Sequence, residues 1–311
     1  MAYRLRRTES TKKGLRRIAT KALEGARVRM RRSTPPSDEA IHDARKRLKK
    51  ARAIMQLIEA DGGSGEAGCR KWFRTANRTL STLRDADAMI GTLAKLRKRT
   101  PSLFSEHTFA RLKRGFSSHK KAAMDAADRD GAWPRVDKAL RRLRRAAARW
   151  KPRHKRFGAL ARGIRSAHRR GRKALSVVRE SGSAADFHQW RKAIKTLWYE
   201  LRLIDRCGPR IRRDIAALDR AERAIGDDHN VVVLCAELSK NAIGAESIDL
   251  DRLRIVANRH QRVLRKKALA SARRIYARKS DAYARGIKRA WKAWRRRTGS
   301  ARSRRTPRAA A

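Results

Sequence analysis

Residues 41–58 read IHDARKRLKKARAIMQLI, and residues 187–204 read FHQWRKAIKTLWYELRLI, the same helix written again 146 positions later. At that offset His42 meets His188, Arg45 meets Arg191, Lys46 meets Lys192 and Lys49 meets Lys195. The apolar register repeats as well. Ile41, Ala44, Leu48, Ala51, Met55 and Ile58 stand opposite Phe187, Trp190, Ile194, Leu197, Leu201 and Ile204. Their spacing of 3, 4, 3, 4 and 3 draws one stripe along an α-helix. At about 100° per residue, His42, Arg45, Lys46, Lys49 and Arg52 form a second stripe beside the first, on the border of the buried seam. Arg47 and Lys50 are expected to project to water. Like charges along one face destabilise a helix. Keeping them in both copies points to an anionic ligand that offsets the cost, against the competing reading of a solvated charged face.

The rest of the composition agrees with such a ligand. The chain has 311 residues, with 84 Lys and Arg against 29 Asp and Glu, a formal charge of +55. A field of this sign attracts polyanions and repels itself in the compact state. Nucleic acid, anionic membrane and polyphosphate are the partner classes it suggests. Hydrophobic residues make up 41%, enough for a core, so wholesale disorder is excluded. No stretch approaches the roughly 20 apolar residues of a membrane span, and no apolar segment follows the basic N-terminus as in a signal peptide. The expected setting is therefore the cytoplasm. Cys69, Cys207 and Cys235 have no metal-ligand spacing and read as free thiols.

Outward from the two motif helices the pattern stays helical, with no convincing period-2 run. Ser33-Thr34-Pro35-Pro36-Ser37-Asp38 breaks the chain before the first copy, and Ser37 or Asp38 is a candidate N-cap. Gly62-Gly63-Ser64-Gly65 ends it. Helices are predicted over about 68–99 and 103–128, then a very basic connecting helix over 133–150. In the second half they are predicted over about 154–179, the motif helix capped by Ser183, 210–238, and a single long helix over 249–297. The repeat extends further. Ile18 matches Ile164 at offset 146, and Leu80, Arg84 and Asp85 match Ile225, His229 and Asn230 at offset 145. The prediction is an all-α fold of two four-helix bundles related by a pseudo-twofold, with both motif helices facing a basic central cavity. Their boundaries are residues 8–130 and 154–297, with a basic, disordered tail over 298–311.

His42-x-x-Arg45-Lys46-x-x-Lys49-Lys50-x-Arg52 and His188-x-x-Arg191-Lys192-x-x-Lys195-x-Leu197-Trp198-Tyr199 resemble the CHAD family, the conserved histidine α-helical domain. Leu83-Arg84-Asp85-Ala86-Asp87 and Ile225-Gly226-Asp227-Asp228-His229-Asn230 look like that family's third-helix motifs. The resemblance covers roughly residues 8–297. It implies an all-helical domain of two four-helix halves around a basic cavity, binding of inorganic polyphosphate, association with polyphosphate granules and no catalysis. Some relatives fuse the domain to a triphosphate-hydrolysing tunnel domain that begins Glu-x-Glu-x-Lys. No Glu-x-Glu occurs here, so the chain reads as the free-standing binding module. It departs from the family in two places. Trp198 stands where Arg is frequent, and Asn230 stands where the first half has Asp85.

A polyphosphate chain has charge and no bases, so recognition falls to Arg forks, Lys point charges and His donors. The candidate contacts are His42, Arg45, Lys46, Lys49, Arg52 and Arg84 from the first half, and His188, Arg191, Lys192, Lys195 and His229 from the second. For His42 and His188 ligand contact and a structural hydrogen bond both stand open. No cofactor or metal is expected. Asp227-Asp228-His229 is a weak metal candidate, because neighbouring helical residues diverge by about 100°. Asp85 and Asp87 are expected to pair with nearby Arg. Trp190, Trp198, Trp291 and Trp294 read as core or interface, with base stacking the lesser reading for Trp291 and Trp294. The alternative function is nonspecific nucleic-acid binding through the basic segments 135–156 and 285–308.

Overall fold

The computed structural model describes residues 3–64, 68–240 and 250–296, with side chains described throughout except at 82–86 and 250. Among these residues the chain is all-helical, and its only β contact is an isolated bridge between Ser64 and Lys151. The first half comprises α1 (Thr11–Met30), α2 (Asp38–Ala60), α3 (Cys69–Arg99), α4 (Glu106–Arg129) and α5 (Ala132–Arg149). The second comprises α6 (Gly158–Ser181), α7 (Ala184–Arg202), α8 (Pro209–Leu238), α9 (Leu250–Tyr276) and α10 (Ser280–Arg296). The tail 298–311 lies outside the described residues.

The caps sit where the sequence signals them. Ser37 Oγ accepts the Ala40 amide at 3.2 Å, and Ser183 Oγ accepts the Asp186 amide at 3.1 Å. Asp38 and Glu39 in the first turn of α2, and Asp186 in that of α7, complement the helix dipole. All twelve positions of the paired apolar stripes are buried, none more than 3% exposed. Their burial supplies most of what holds α2 and α7 in place, since intrinsic propensity is weak beside packing. α2 packs on α1 and α3, as α7 packs on α6 and α8. α2 also touches α6 and α7, and α3 touches α8.

One prediction needs correction. The single helix expected over 249–297 is broken at residues 277–279 into α9 and α10. Neither Gly nor Pro marks the break, because its cause is tertiary. His168 on α6 is fully buried and reaches both sides of the turn. Its Nε2 donates to the Ile275 carbonyl at 2.9 Å, so its Nδ1 accepts from Ser280 Oγ, also at 2.9 Å. The ring stacks on Tyr283 at 4.2 Å. The break folds α10 back onto α6, much as α5 packs on α1. The helix predicted as a connector is thus the fifth of the first half, and α10 is the fifth of the second.

Two cores are present. The larger involves every α-helix but α4 as a buried contributor, and includes Trp150, Trp190, Trp291 and Trp294. The smaller gathers Met89, Leu93, Leu112, Phe116, Leu234 and Leu238 with their neighbours. The long helices α3 and α8 contribute to both. Leu80 and Ile225 belong to the larger core, Met89 and Leu234 to the smaller. Between these anchor points, Ser81 and Ala88 of α3 and His229 and Asn230 of α8 reach the site.

Candidate functional site

α2 and α7 bring their basic stripes to one cleft of about 580 Å3. From α2 come Arg45, Lys49, Arg52 and Gln56; from α7 come His188, Arg191, Lys192, Lys195, Thr196 and Tyr199. The walls are closed by Asn77, Ser81 and Ala88 of α3, and by His229 and Asn230 of α8. Among the described residues, six Lys and Arg side chains line the cleft, three from each motif helix, and no carboxylate does. Thr196 Oγ1 and Gln56 Oε1, 3.4 Å apart, join the two helices.

Eight of the eleven residues predicted from sequence meet here: Arg45, Lys49, Arg52, His188, Arg191, Lys192, Lys195 and His229. His42, half-buried one turn before Arg45, and the exposed Lys46 do not line the cleft. The side chain of Arg84 lies outside the described residues, as does that of Asp85. Arg47 and Lys50 do not go to water as expected. Arg47 Nε donates to Asp43 Oδ2 at 2.7 Å, and Lys50 Nζ lies 5.8 Å from the centre of the Tyr3 ring.

The cations of the two sides are held differently. Arg45 Nη1 donates to the Leu80 carbonyl oxygen at 2.5 Å. Arg191 and Lys195 instead converge on Glu222 Oε1, at 2.9 and 2.5 Å. Burial opposes ionisation of Glu222, yet Lys195 and Arg191 hold its carboxyl below the ordinary value. Sequence reading missed Glu222, although it stands seven residues before His229, on the same face of α8. Gly226 is a close-approach position: a Cβ there would come within 2.8 Å of Arg191 Nη2.

His188 and His229 sit ring to ring, with centroids 4.2 Å apart. The Nδ1 of His188 is buried and has no hydrogen-bond partner. Burial first, then His229, Lys192, Arg191 and Lys195, push its pKa down to about 4. The imidazole is therefore neutral at pH 7 in the empty cleft, where an arriving anion can protonate it. Tyr199 also lines the cleft, with burial and the nearby Glu222 raising its hydroxyl to about 12.

The other candidates resolve into structural roles. Asp227 pairs with Lys95 at 2.8 Å and Asp228 with Arg265 at 2.9 Å, while His229 faces the cleft, so the three diverge. No group of three His, Cys, Asp or Glu among the described residues is placed to hold a metal. Asp87 pairs with Lys120 at 2.7 Å rather than with an Arg. Trp291 and Trp294 are 3% and 7% exposed, which removes them as base-stacking platforms. No helix among the described residues is long and apolar enough to cross a membrane.

A cleft lined by six cations, with neutral polar groups between them, is suited to a polyanion. In a comparison with family models, the CHAD domain model matches residues 19–239. No curated protein matches the chain.

Proposed function

The chain belongs to the CHAD domain family, and from that premise we propose that it binds inorganic polyphosphate in the cleft between α2 and α7 without turning it over. The observation that carries this reading is the convergence of three Lys and Arg from each motif helix on one cleft. In this reading the duplication supplies the site's symmetry of charge, one basic stripe per half.

Each component suits a bare phosphate chain. Arg45, Arg52 and Arg191 offer planar forks that grip two phosphate oxygens at once, and Lys49, Lys192 and Lys195 offer adaptable point charges. Asn77, Ser81 and Asn230 add neutral polar groups between them. Binding releases counterions from the chain and relieves repulsion among the lining cations, so ligand and fold stabilise each other. His188 takes up a proton as the anion arrives. We extend the proposal to the cell. A polyphosphate granule is where such a protein would collect.

The test is a competition at about 0.15 M salt between long-chain polyphosphate and duplex DNA of matched charge. The triple variant Lys49→Ala, Arg52→Ala, Lys192→Ala runs alongside, because all three line the cleft and none is a direct ion-pair partner of Glu222 among the described residues. The expected outcome is preference for polyphosphate, with affinity falling on the order of 100-fold in the variant. DNA competing equally, with the variant like its parent, would make this a general polyanion binder and the cleft a structural feature.

A further inference from the structure

We infer that the second half carries another site for a bare phosphate chain, an arginine track on the outer side of α9, so that one molecule can hold two chains. The choice of ligand rests on the reading of the cleft; the existence of the track does not.

The track consists of two depressions. One, of about 750 Å3, lies between α8 and α9 and is lined by Arg210, Arg213, Arg220, Arg273, Arg274 and Arg278. The next, of about 680 Å3, lies between α6 and α9 and adds Arg179, Arg262, Arg265 and Lys266. Arg273 and Ala270 belong to both, so the two are continuous. From Arg262 to Arg274 the track follows about 18 Å of helix.

The side chains are deployed for an absent partner. Arg213, Arg220, Arg273, Arg274 and Arg278 are exposed, and none forms an ion pair among the described residues. The one carboxylate in the lining among the described residues, Asp214, accepts a hydrogen bond from Tyr283 Oη at 3.0 Å. Arg210 reaches the depression by passing Gly286, where a Cβ would come within 2.5 Å of its Nη1. Its Nη2 is buried without a hydrogen-bond partner. A buried, unsatisfied guanidinium nitrogen is a standing cost that an anion would remove.

The duplication does not explain the track. α4, which follows α3 as α9 follows α8, ends MDAADR over 124–129, with Asp125 and Asp128 and one Arg. α9 ends SARRIY over 271–276. The basic end of α9 is thus particular to the second half.

The lining also selects the ligand. The aromatic residues along the track, Tyr283 and Phe187, are 1% and 3% exposed, so no ring face is available to stack a base. A duplex carries its phosphates on the outside of a rod too wide to enter a depression between two packed helices. A single chain without bases fits both limits. Two sites that share no lining residue make the protein divalent, and a divalent binder crosslinks long chains by mass action.

The experiment titrates the full-length protein with short-chain inorganic polyphosphate by calorimetry, then measures turbidity with long-chain polyphosphate. Two variants are compared with the parent. The track variant carries Arg213→Ala, Arg220→Ala and Arg274→Ala; the cleft variant carries Lys49→Ala, Arg52→Ala and Lys192→Ala. All substituted track residues are exposed, and both variants retain residues 297–311, so the tail's arginines are common to every arm. The expected result is two equivalents for the parent, one for each variant, and loss of turbidity in both variants. One equivalent for the parent, abolished by the cleft variant and untouched by the track variant, would overturn the track and leave the cleft standing. The converse, with the track variant alone losing binding, would overturn the cleft and leave the track. Single-stranded DNA displacing polyphosphate from the cleft variant at equal charge concentration would overturn the ligand assigned to the track.

Discussion

α2 and α7 are copies in what they bury and differ in what they hold the cleft with. Their apolar stripes match position for position, and both sets are buried. The polar partners do not match. Arg45 is anchored on a backbone carbonyl, whereas its counterpart Arg191 is anchored on a buried carboxylate, Glu222. At the 145-residue offset of the third helices, the first half has Asn77 where the second has Glu222. Arg52, exposed at the cleft, is answered by Trp198, whose ring lies 4.5 Å from the Arg202 guanidinium. The difference teaches that packing preserved the duplicated frame while the charge balance of each wall drifted separately. The α7 wall is part-neutralised through Glu222, and the α2 wall is tied through Arg45 to the Leu80 carbonyl.

Removing the carboxylate that makes the walls unlike is expected to have the largest effect. Glu222→Gln leaves Arg191 and Lys195 facing each other without a counter-charge in a buried setting, and destabilises the empty protein by about 3 kcal/mol. The carboxyl of Glu222 is held below its ordinary value in the fold, so its contribution is present at neutral pH and lost as pH falls through the carboxylate range. Chemical denaturation at pH 7 and at pH 3.5 should show a large deficit in the first and a small one in the second. The same variant is expected to bind polyphosphate more tightly, since a competing anion is gone. Weaker binding would mean that Glu222 orients the cations rather than competing for them.

A second contrast lies in the core. Where α2 buries Ile54, α7 buries Glu200, 1% exposed, and neither of its carboxyl oxygens has a hydrogen-bond partner. Burial pushes this carboxyl up to about 8. Its folded value is above its unfolded one, so the protein is most stable below the unfolded value and loses stability as pH rises towards 8. Glu200→Gln keeps the shape and abolishes the titration. Relative to the parent, the variant is expected to gain about 2–3 kcal/mol between pH 5 and pH 7. Parallel stability–pH curves for the two proteins would show that Glu200 is ionised and solvated.

The frame of this molecule was legible in its sequence because the apolar period is a local property. Ile41 to Ile58 and Phe187 to Ile204 announce two buried faces without any knowledge of the neighbours. Most of the cleft was legible for the same reason, since a stripe beside a buried seam must border whatever lies across it. The missing parts depend on tertiary contacts. Glu222 looks like any helical acid until Arg191 and Lys195 close on it. The turn at 277–279 has no breaker residue and exists because His168 holds both of its sides. His42 and Lys46 share the stripe of Arg45, but His42 lies one turn before the cleft begins and Lys46 is turned out to solvent.

Making the α2 wall resemble the α7 wall is expected to have a moderate effect. Asn77→Glu puts a carboxylate into the lining at the position equivalent to Glu222, in the cleft that Lys49 and Arg45 also line. Affinity for polyphosphate should fall about tenfold, equivalent to about 1.4 kcal/mol, with a shallower dependence on salt as one cation is pre-paired. Combining Asn77→Glu with Glu222→Gln moves the carboxylate from one wall to the other. Recovery of parental affinity would show that the cleft responds to net charge alone. A persistent loss would show that the α2 wall makes the closer contacts.

The smallest expected effect concerns the histidines and tests whether the ligand sits at the α7 side at all. His188 lies against His229 with its pKa near 4, so in the empty protein it stays neutral through the range where an unfolded histidine would charge. Stability it contributes is present above about pH 6.5 and declines as pH falls towards 4. A bound phosphate reverses the sign, because it favours the imidazolium, and binding then takes up a proton. Affinity should therefore rise about threefold between pH 7.5 and 5.5, the equivalent of less than about 1 kcal/mol. His188→Asn should flatten that slope, while His42→Asn, on a residue outside the cleft lining, should leave it intact. Equal flattening by both variants would place His42 within reach of the ligand and restore the equivalence of the two walls. No flattening by either would confine the phosphate chain to the lysines and arginines.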